Sequence, residues 1–274
     1  MTSDAVAKAA TILVLAFAMR FSKSLSFSGV LASVLVGAVT LFLGGWDCFL
    51  VLLVFLILGT LFTKYKCSEK APGTLAQEKG GVRTWVNVFA NGGPALISIL
   101  LEYFYGTDFF KVFFLSSVCS AASDTMSTEI GLLSKSKPRL ITKPWKKVER
   151  GVSGGVTLLG TLAGLFASLT ISVVPLTTIM MGVGGLFLGI NDPARLVVAS
   201  ALAGFSGMIM DSILGATVQA LYFSEKTGLF YEDPRKCNGE CVLFKGFKIF
   251  DNNTVNFLSC FFAGVFGAIL YVLF

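Results

Sequence analysis

The segment Phe109-Phe-Lys-Val-Phe-Phe-Leu-Ser-Ser-Val-Cys-Ser-Ala-Ala-Ser-Asp124-Thr-Met-Ser-Thr-Glu129-Ile-Gly131 is long enough to cross a bilayer as a helix, which takes about 20 residues. Its first half is apolar, but from Ser120 onward polar residues replace the run Phe113, Phe114 and Leu115 and bring two acids with them. Apolar windows of comparable length recur near 5–20, 27–44, 48–62, 86–104, 154–174, 176–190, 196–222 and 254–274. In hydrocarbon only segments that satisfy their own backbone groups can span, so these windows read as helices. Together they predict an all-α, polytopic integral membrane bundle of about nine transmembrane helices.

Composition agrees. Of 274 residues, 54% are hydrophobic and 14% charged, and the mean hydropathy is +0.78. Soluble domains carry about 25% charged residues. Hydrophilic stretches are short, so residues 1–274 are expected to form a single integral membrane domain without a soluble appendage. The first window lacks a small-residue cleavage site after a cationic start and reads as a retained span.

The net charge of +6 is unevenly placed. Residues 63–84 hold Lys64, Lys66, Lys70, Lys79 and Arg83 against Glu69 and Glu78, and residues 134–150 hold seven cations against Glu149. Short basic loops mark the cytoplasmic side, and they also create a field attractive to anions. If each window crosses once, these loops share a side with Arg20, Lys23 and Arg195, with the N-terminus outside and the C-terminus inside. Asp211 strains that arrangement, because 16 residues of helix beyond Arg195 carry it about 24 Å toward the far face. The strain predicts a broken or re-entrant segment near 176–222, or one window too many.

There is no histidine, so any chemistry must run on carboxylates, lysines and backbone groups. Cys48, Cys119 and Cys260 lie in apolar runs and read as packing. For Cys237 and Cys241, at C-x3-C spacing in a polar loop, a disulfide or two free thiols outweighs zinc. Most of the glycines in 154–164, 182–189 and 204–215 read as close helix packing. Gly154 and Gly155 are expected to open a helix after a basic loop, where free N–H groups suit a phosphate.

Acids inside apolar windows are costly and mark functional paths. Asp124, Glu129 and Asp211 are such residues, the last followed by Ser212. Asp124, Ser127 and Thr128 share a helix face by their i, i+3 and i+4 spacing. Arg83, Asn87 and Asn91 follow one another at i+4 and form a second polar stripe, suited to a phosphate or sugar contact, to capping or to interhelical bonding. Two carboxylates from different helices suit Mg²⁺ and polyphosphate, since Mg²⁺ takes one or two carboxylates plus substrate oxygens.

Six segments together resemble the family of human transmembrane protein 19 and the plant phytyl phosphate kinase. They are Arg83-Thr-Trp-Val-Asn-Val-Phe-Ala-Asn-Gly-Gly-Pro94, Ser123-Asp-Thr-Met-Ser-Thr-Glu-Ile-Gly131, Pro138-Arg-Leu-Ile-Thr142, Gly151-Val-Ser-Gly-Gly-Val-Thr-Leu-Leu-Gly-Thr161, Gly204-Phe-Ser-Gly-Met-Ile-Met-Asp-Ser-Ile-Leu-Gly-Ala-Thr217 and Asp251-Asn-Asn-Thr-Val-Asn256. The order of acidic segment, basic stretch and late Asp-Ser is also similar to that of dolichol kinase and phosphatidate cytidylyltransferase. The resemblance implies a membrane kinase that phosphorylates a polyprenyl monophosphate, such as phytyl or geranylgeranyl phosphate, to the diphosphate, with CTP as expected donor and Mg²⁺ as cofactor. On that reading Asp124, Asp211 and Glu129 are catalytic, Asp124 and Asp211 holding the metal with Glu129 as a third ligand or an orienting partner. Arg83, Asn87, Asn91, Ser127, Thr128, Lys135, Lys137, Arg139, Lys143, Gly154, Gly155 and Ser212 contact nucleotide or phosphate.

The expected partners are the nucleotide, the polyprenyl monophosphate and the lipid bilayer, with no nucleic acid, and a homodimer is allowed. The expected location is the cytoplasmic membrane, with the active site facing the cytoplasm. Two other classes of activity fit the same residues. A secondary transporter would also explain buried carboxylates and glycine-rich broken helices, and a CTP-dependent cytidylyltransferase would release pyrophosphate.

Overall fold

Helix α5 (Asp108–Gly131) contains the quoted segment and stands at the centre of the molecule. Its residues 112–123 are buried without interruption, as expected of a helix surrounded on all faces. The computed structural model describes residues 2–21, 25–65, 82–182, 184–237 and 241–273. Around α5 stand α1 (Thr2–Phe21), α2 (Phe27–Val39), α3 (Gly45–Lys64), α4 (Trp85–Tyr105), α6 (Leu158–Met180), α7 (Pro193–Thr217) and α8 (Asn252–Leu273). A π-helical turn (Thr40–Gly44) and Gly45, at φ 88°, turn α2 back into α3, and the start of α2 (Ser26) and the end of α3 (Thr63) both bond Arg83. Four stretches of the described residues, Phe27–Lys64 (α2 with α3), Leu158–Met180, Pro193–Thr217 and Asn252–Leu273, are by length and composition apolar enough to cross a membrane.

The expectation of about nine helices is corrected at 176–190. Pro175 does not end α6, which runs on to Met180; in a membrane-type helix a proline is tolerated where neighbours re-satisfy the freed backbone. What remains is a turn with Gly182 at φ 63° and a short 3₁₀ segment, Leu186–Gly189. Asp47 pins that segment down, its carboxylate accepting from the backbone N–H groups of Leu186 at 3.1 Å and Phe187 at 2.6 Å.

Losing one window reverses everything after it. Helices α5 and α7 now run parallel, and Asp211 lies near the same end of the bundle as Asp124. Arg195 lies at the opposite end, where its guanidinium stands over the Tyr271 ring. The start of α1 and the end of α8 meet that opposite end too, through Asp4 with Trp46 and Tyr271 with Asp108. The expected separation of N- and C-terminal sides and the grouping of Arg195 with the basic loops are both overturned.

Serine and glycine hold the rods together, as small residues do in membrane bundles. From α5, Ser116 bonds Ser200 of α7 at 3.2 Å, Ser117 the Cys260 carbonyl of α8 at 3.0 Å, and Ser123 the Gly164 carbonyl of α6 at 2.9 Å. Gly204 and Gly207 of α7 have no room for a Cβ against Cys119 and Ser120.

The all-α expectation is corrected in the connections at the basic end. Arg139–Leu140 (β1), Lys143–Lys147 (β2) and Gly155–Val156 (β3) form an antiparallel sheet in the order β2-β1-β3. Leu221–Ser224 (β4), Leu229–Tyr231 (β5) and Val242–Lys245 (β6) form another in the order β5-β4-β6. Runs rich in aromatic and apolar residues favour strands, and Phe230 packs on Phe223 and Phe244 with ring centroids 5.1 and 5.0 Å apart. Cys237 and Cys241 are joined by a disulfide. Most of the other basic loop, with Lys66, Glu69, Lys70, Glu78 and Lys79, lies outside the described residues, as does Lys23.

Candidate functional site

A cavity of about 1030 Å³ opens into the bundle at its basic end, and Asp124, Glu129 and Asp211 all line it. Packing explains why the two aspartates converge. The Ser120 side chain of α5 packs directly against Gly207 of α7. Because these helices run parallel, one further turn on each, four residues on, brings Asp124 and Asp211 to the same level.

Asp211 is held from a third helix. Asn256 of α8, with its amide oriented to satisfy both neighbours, donates to Asp211 Oδ2 at 3.1 Å and to the Asn252 carbonyl at 3.0 Å. One turn toward the helix start, Asn253 Oδ1 accepts from Asn87 Nδ2 at 2.8 Å. Asn87 is also the capping partner of α4, its Oδ1 accepting from the Thr84 N–H at 2.8 Å. The amides of α4 and α8 therefore form one wall, with Asn91 a turn deeper.

Glu129 plays a different part from the aspartates. Five residues on from Asp124, it is rotated roughly 140° around the helix and is buried. Its Oε1 accepts from Thr63 Oγ1 at 2.8 Å, and Arg83 Nη2 donates to the same hydroxyl at 3.3 Å. The guanidinium lies over Gly59, where a Cβ would stand 3.3 Å from Nη1. Thr63 thus ties α3 to α5 and to the residue that leads into α4.

Among the described residues no three His, Cys, Asp or Glu side chains stand close enough to hold a metal unaided. The expectation that Glu129 completes a three-carboxylate set is therefore corrected, the reason being its rotation away from Asp124. Asp124 and Asp211 alone still suit Mg²⁺, which leaves its other positions to substrate oxygens and water.

Ser127, Thr128 and Ser212 line the cavity, as do Arg83, Asn87, Asn91, Gly154 and Gly155. The helix expected to open at Gly154 and Gly155 begins instead at Leu158, capped by Thr157, whose side chain accepts from the Gly160 N–H at 3.1 Å. The Gly155 N–H donates to the Val152 carbonyl at 3.0 Å. Gly154 is required for space, since its φ is 81° and a Cβ would sit 2.6 Å from the Ala216 Cα. These glycines dock the β3 turn on the end of α7 and do not present a helix N-terminus.

The four cations Lys135, Lys137, Arg139 and Lys143 are exposed and lie outside the lining. Lys137 pairs with Glu149 at 2.7 Å, which holds that carboxyl below its ordinary range, and Arg139 donates to the Pro144 carbonyl at 2.8 Å. Strand pairing turns this loop outward and leaves its charge as a field around the mouth.

Several lining residues escaped the sequence reading: Asn252, Asn253 and Asn256, and Ser153, which joins Glu232 and Gln219 across the rim. The asparagines lie within a quoted segment, Asp251–Asn256, to which the sequence alone assigns no role. All six segments that carry the resemblance contribute to this one cavity.

The protein-family model described as integral membrane protein DUF92 matches residues 10–264. An uncharacterized membrane protein of Methanocaldococcus jannaschii is 30% identical over 260 residues, covering 95% of this chain and 91% of that protein. Protein PGR of Arabidopsis thaliana is 34% identical, covering 89% of this chain and 88% of its own length. The chloroplastic Protein VTE6 of the same plant is 32% identical over 200 residues, 71% of this chain and 56% of that one. No solved structure matches. A match along nearly the whole chain, through the segments that wall the cavity, places this protein in the DUF92 family of integral membrane proteins.

Proposed function

We propose that the protein is a membrane-embedded kinase that transfers a phosphoryl group from a nucleoside triphosphate, CTP by resemblance, to a polyprenyl monophosphate. The observation that carries this reading is that Asp124, Asp211 and all six family segments line one cavity at the end of the bundle that bears the basic loop 134–150. Protein VTE6 among the relatives supports the same class through the phytyl phosphate kinase resemblance.

The chemistry matches a chain without histidine. A phosphate monoester has its second pKa near 6, so the acceptor arrives ionised and needs no protein base. Its oxygen attacks the γ-phosphorus, the bond from that phosphorus to the β,γ-bridging oxygen breaks, and the nucleoside diphosphate leaves with the electron pair. Such transfer depends mainly on positioning and charge neutralisation. Mg²⁺, when bound, neutralises the phosphates, and Asp124 and Asp211 are the residues to hold it. Asn256 orients Asp211, Arg83 offers a fixed cation to an anion in the cavity, and the amides of Asn87 and Asn91 offer donors.

The test is incubation of the purified protein with labelled CTP, Mg²⁺ and geranylgeranyl phosphate. Formation of the diphosphate, abolished by chelation, is the expected result. No transfer with any nucleoside triphosphate removes the kinase reading. Release of pyrophosphate in place of CDP indicates a cytidylyltransferase, and solute flux into proteoliposomes without nucleotide a transporter.

A further inference from the structure

The cavity has two chemically opposed halves. Carboxylates, amides and hydroxyls surround the basin at the basic end. From there a limb continues between α1, α2 and α3, and apart from Ser28 and Ser33 of α2 its walls are apolar, with Leu15 and Met19 on α1, Val34 on α2, and Leu52 and Phe55 on α3. A nucleotide has nothing to gain from such walls, whereas an amphiphile with an anionic head and a hydrocarbon tail matches both halves of the cavity. We infer that the limb holds the hydrocarbon chain of the acceptor lipid, and that Gly37 marks its floor and limits the chain length accepted. The inference rests on the kinase reading for the identity of the head, but not for the presence of a lipid phosphate.

Three observations carry it. First, the limb and the carboxylate basin are one continuous cavity. Second, the limb ends where three helices close in. A Cβ at Gly37 would stand 3.5 Å from Phe49 Cε2 and 3.7 Å from Ile12 Cδ1, so these residues meet across the glycine. Gly37 lies eleven residues below Ser26, which bonds Arg83 at the mouth, and at 1.5 Å per residue this gives a depth of about 17 Å. Third, α1 packs along α2 and reaches the α3 side through its first turn, where Trp46 Nε1 donates to Asp4 at 3.1 Å and Lys8 stands over Phe42. The three rods are thus fastened at the end away from the basin, and a chain entering from the bilayer can lie lengthwise beside α1.

Gly37→Leu is the test, with Gly37→Ala as the companion that fits the ordinary contact distances and keeps the fold. In nanodiscs, Gly37→Leu is expected to lower kcat/KM for geranylgeranyl phosphate by about tenfold or more, leaving dimethylallyl phosphate within about twofold. Equal losses on both acceptors, or none on either, overturn the inference. An independent readout uses geranylgeranyl phosphate carrying a diazirine at the tail terminus. Labelling near Ile12, Gly37 and Phe49, competed by unlabelled geranylgeranyl phosphate, supports the limb even if no nucleotide yields transfer, in which case the kinase reading alone falls. Labelling confined to the shallow apolar groove of Phe89, Ile97 and Phe257 between α4 and α8 overturns it.

Discussion

Asn256 of α8 holds Asp211 of α7 by a side-chain hydrogen bond of 3.1 Å. The bond ties one of the two aspartates that line the cavity to a third helix. Removal of either aspartate's charge, by Asp124→Asn or Asp211→Asn, is expected to lower turnover at least about a hundredfold in protein that still folds. Asn256→Leu leaves both carboxylates but removes this bond to Asp211, and is expected to cost about 10–100-fold, with an increased Mg²⁺ requirement. Steady-state rates across a Mg²⁺ titration check both, and near-normal rates in Asp124→Asn or Asp211→Asn exclude that residue from the metal site.

Thr63 is shared by Glu129 and Arg83. Thr63→Val keeps its volume and removes both hydrogen bonds, so it is expected to lower stability by about 0.6–2 kcal/mol. Thermal unfolding in detergent reads the change. An unchanged midpoint would show that the link between α3 and α5 contributes nothing.

Gly154→Ala tests the structural reading of the glycine pair. The positive φ and the approach of Ala216 together predict a loss of about 1–3 kcal/mol. A variant with normal stability but weakened nucleotide binding would restore the phosphate-cradle role.

Exposure of Lys135, Lys137, Arg139 and Lys143 predicts a long-range effect. Replacing all four by Gln is expected to raise KM for the nucleotide several-fold while kcat holds, and the difference should fade as ionic strength shortens the screening length to about 3 Å at 1 M salt. A salt-independent fall in kcat would place one of them at the reacting groups.

Sidedness distinguishes eight helices from nine. Leu188→Cys and Trp145→Cys both present exposed positions, and an impermeant maleimide is expected to label them from opposite sides of sealed vesicles. Labelling of both from one side would reinstate a span at 176–190.

The sequence made most of the bundle legible because membrane spans declare themselves by uninterrupted apolar length. It misled around Pro175, where the apolar run divides into windows 154–174 and 176–190 although the helix continues through the proline to Met180. At the site, Asp124, Glu129 and Asp211 stood out because charge inside an apolar window is costly. Their differing roles did not, since which face Glu129 turns to α3 is decided by packing. The basic loop was legible as charge but not as shape, because Arg139 pairs with both Lys147 and Val156 and the pairing directs its side chains outward.

The serine and glycine contacts that join α5 to α6, α7 and α8 have a mechanical corollary. Where backbones touch, no side-chain rotamer can change the spacing, so the walls bearing Asp124 and Asp211 behave as a stator. The counterpart is α1, whose close packing is along α2 and most of whose residues are exposed: on the proposed reading a lipid substrate arriving sideways would part this outrigger from its neighbours without disturbing the two carboxylates.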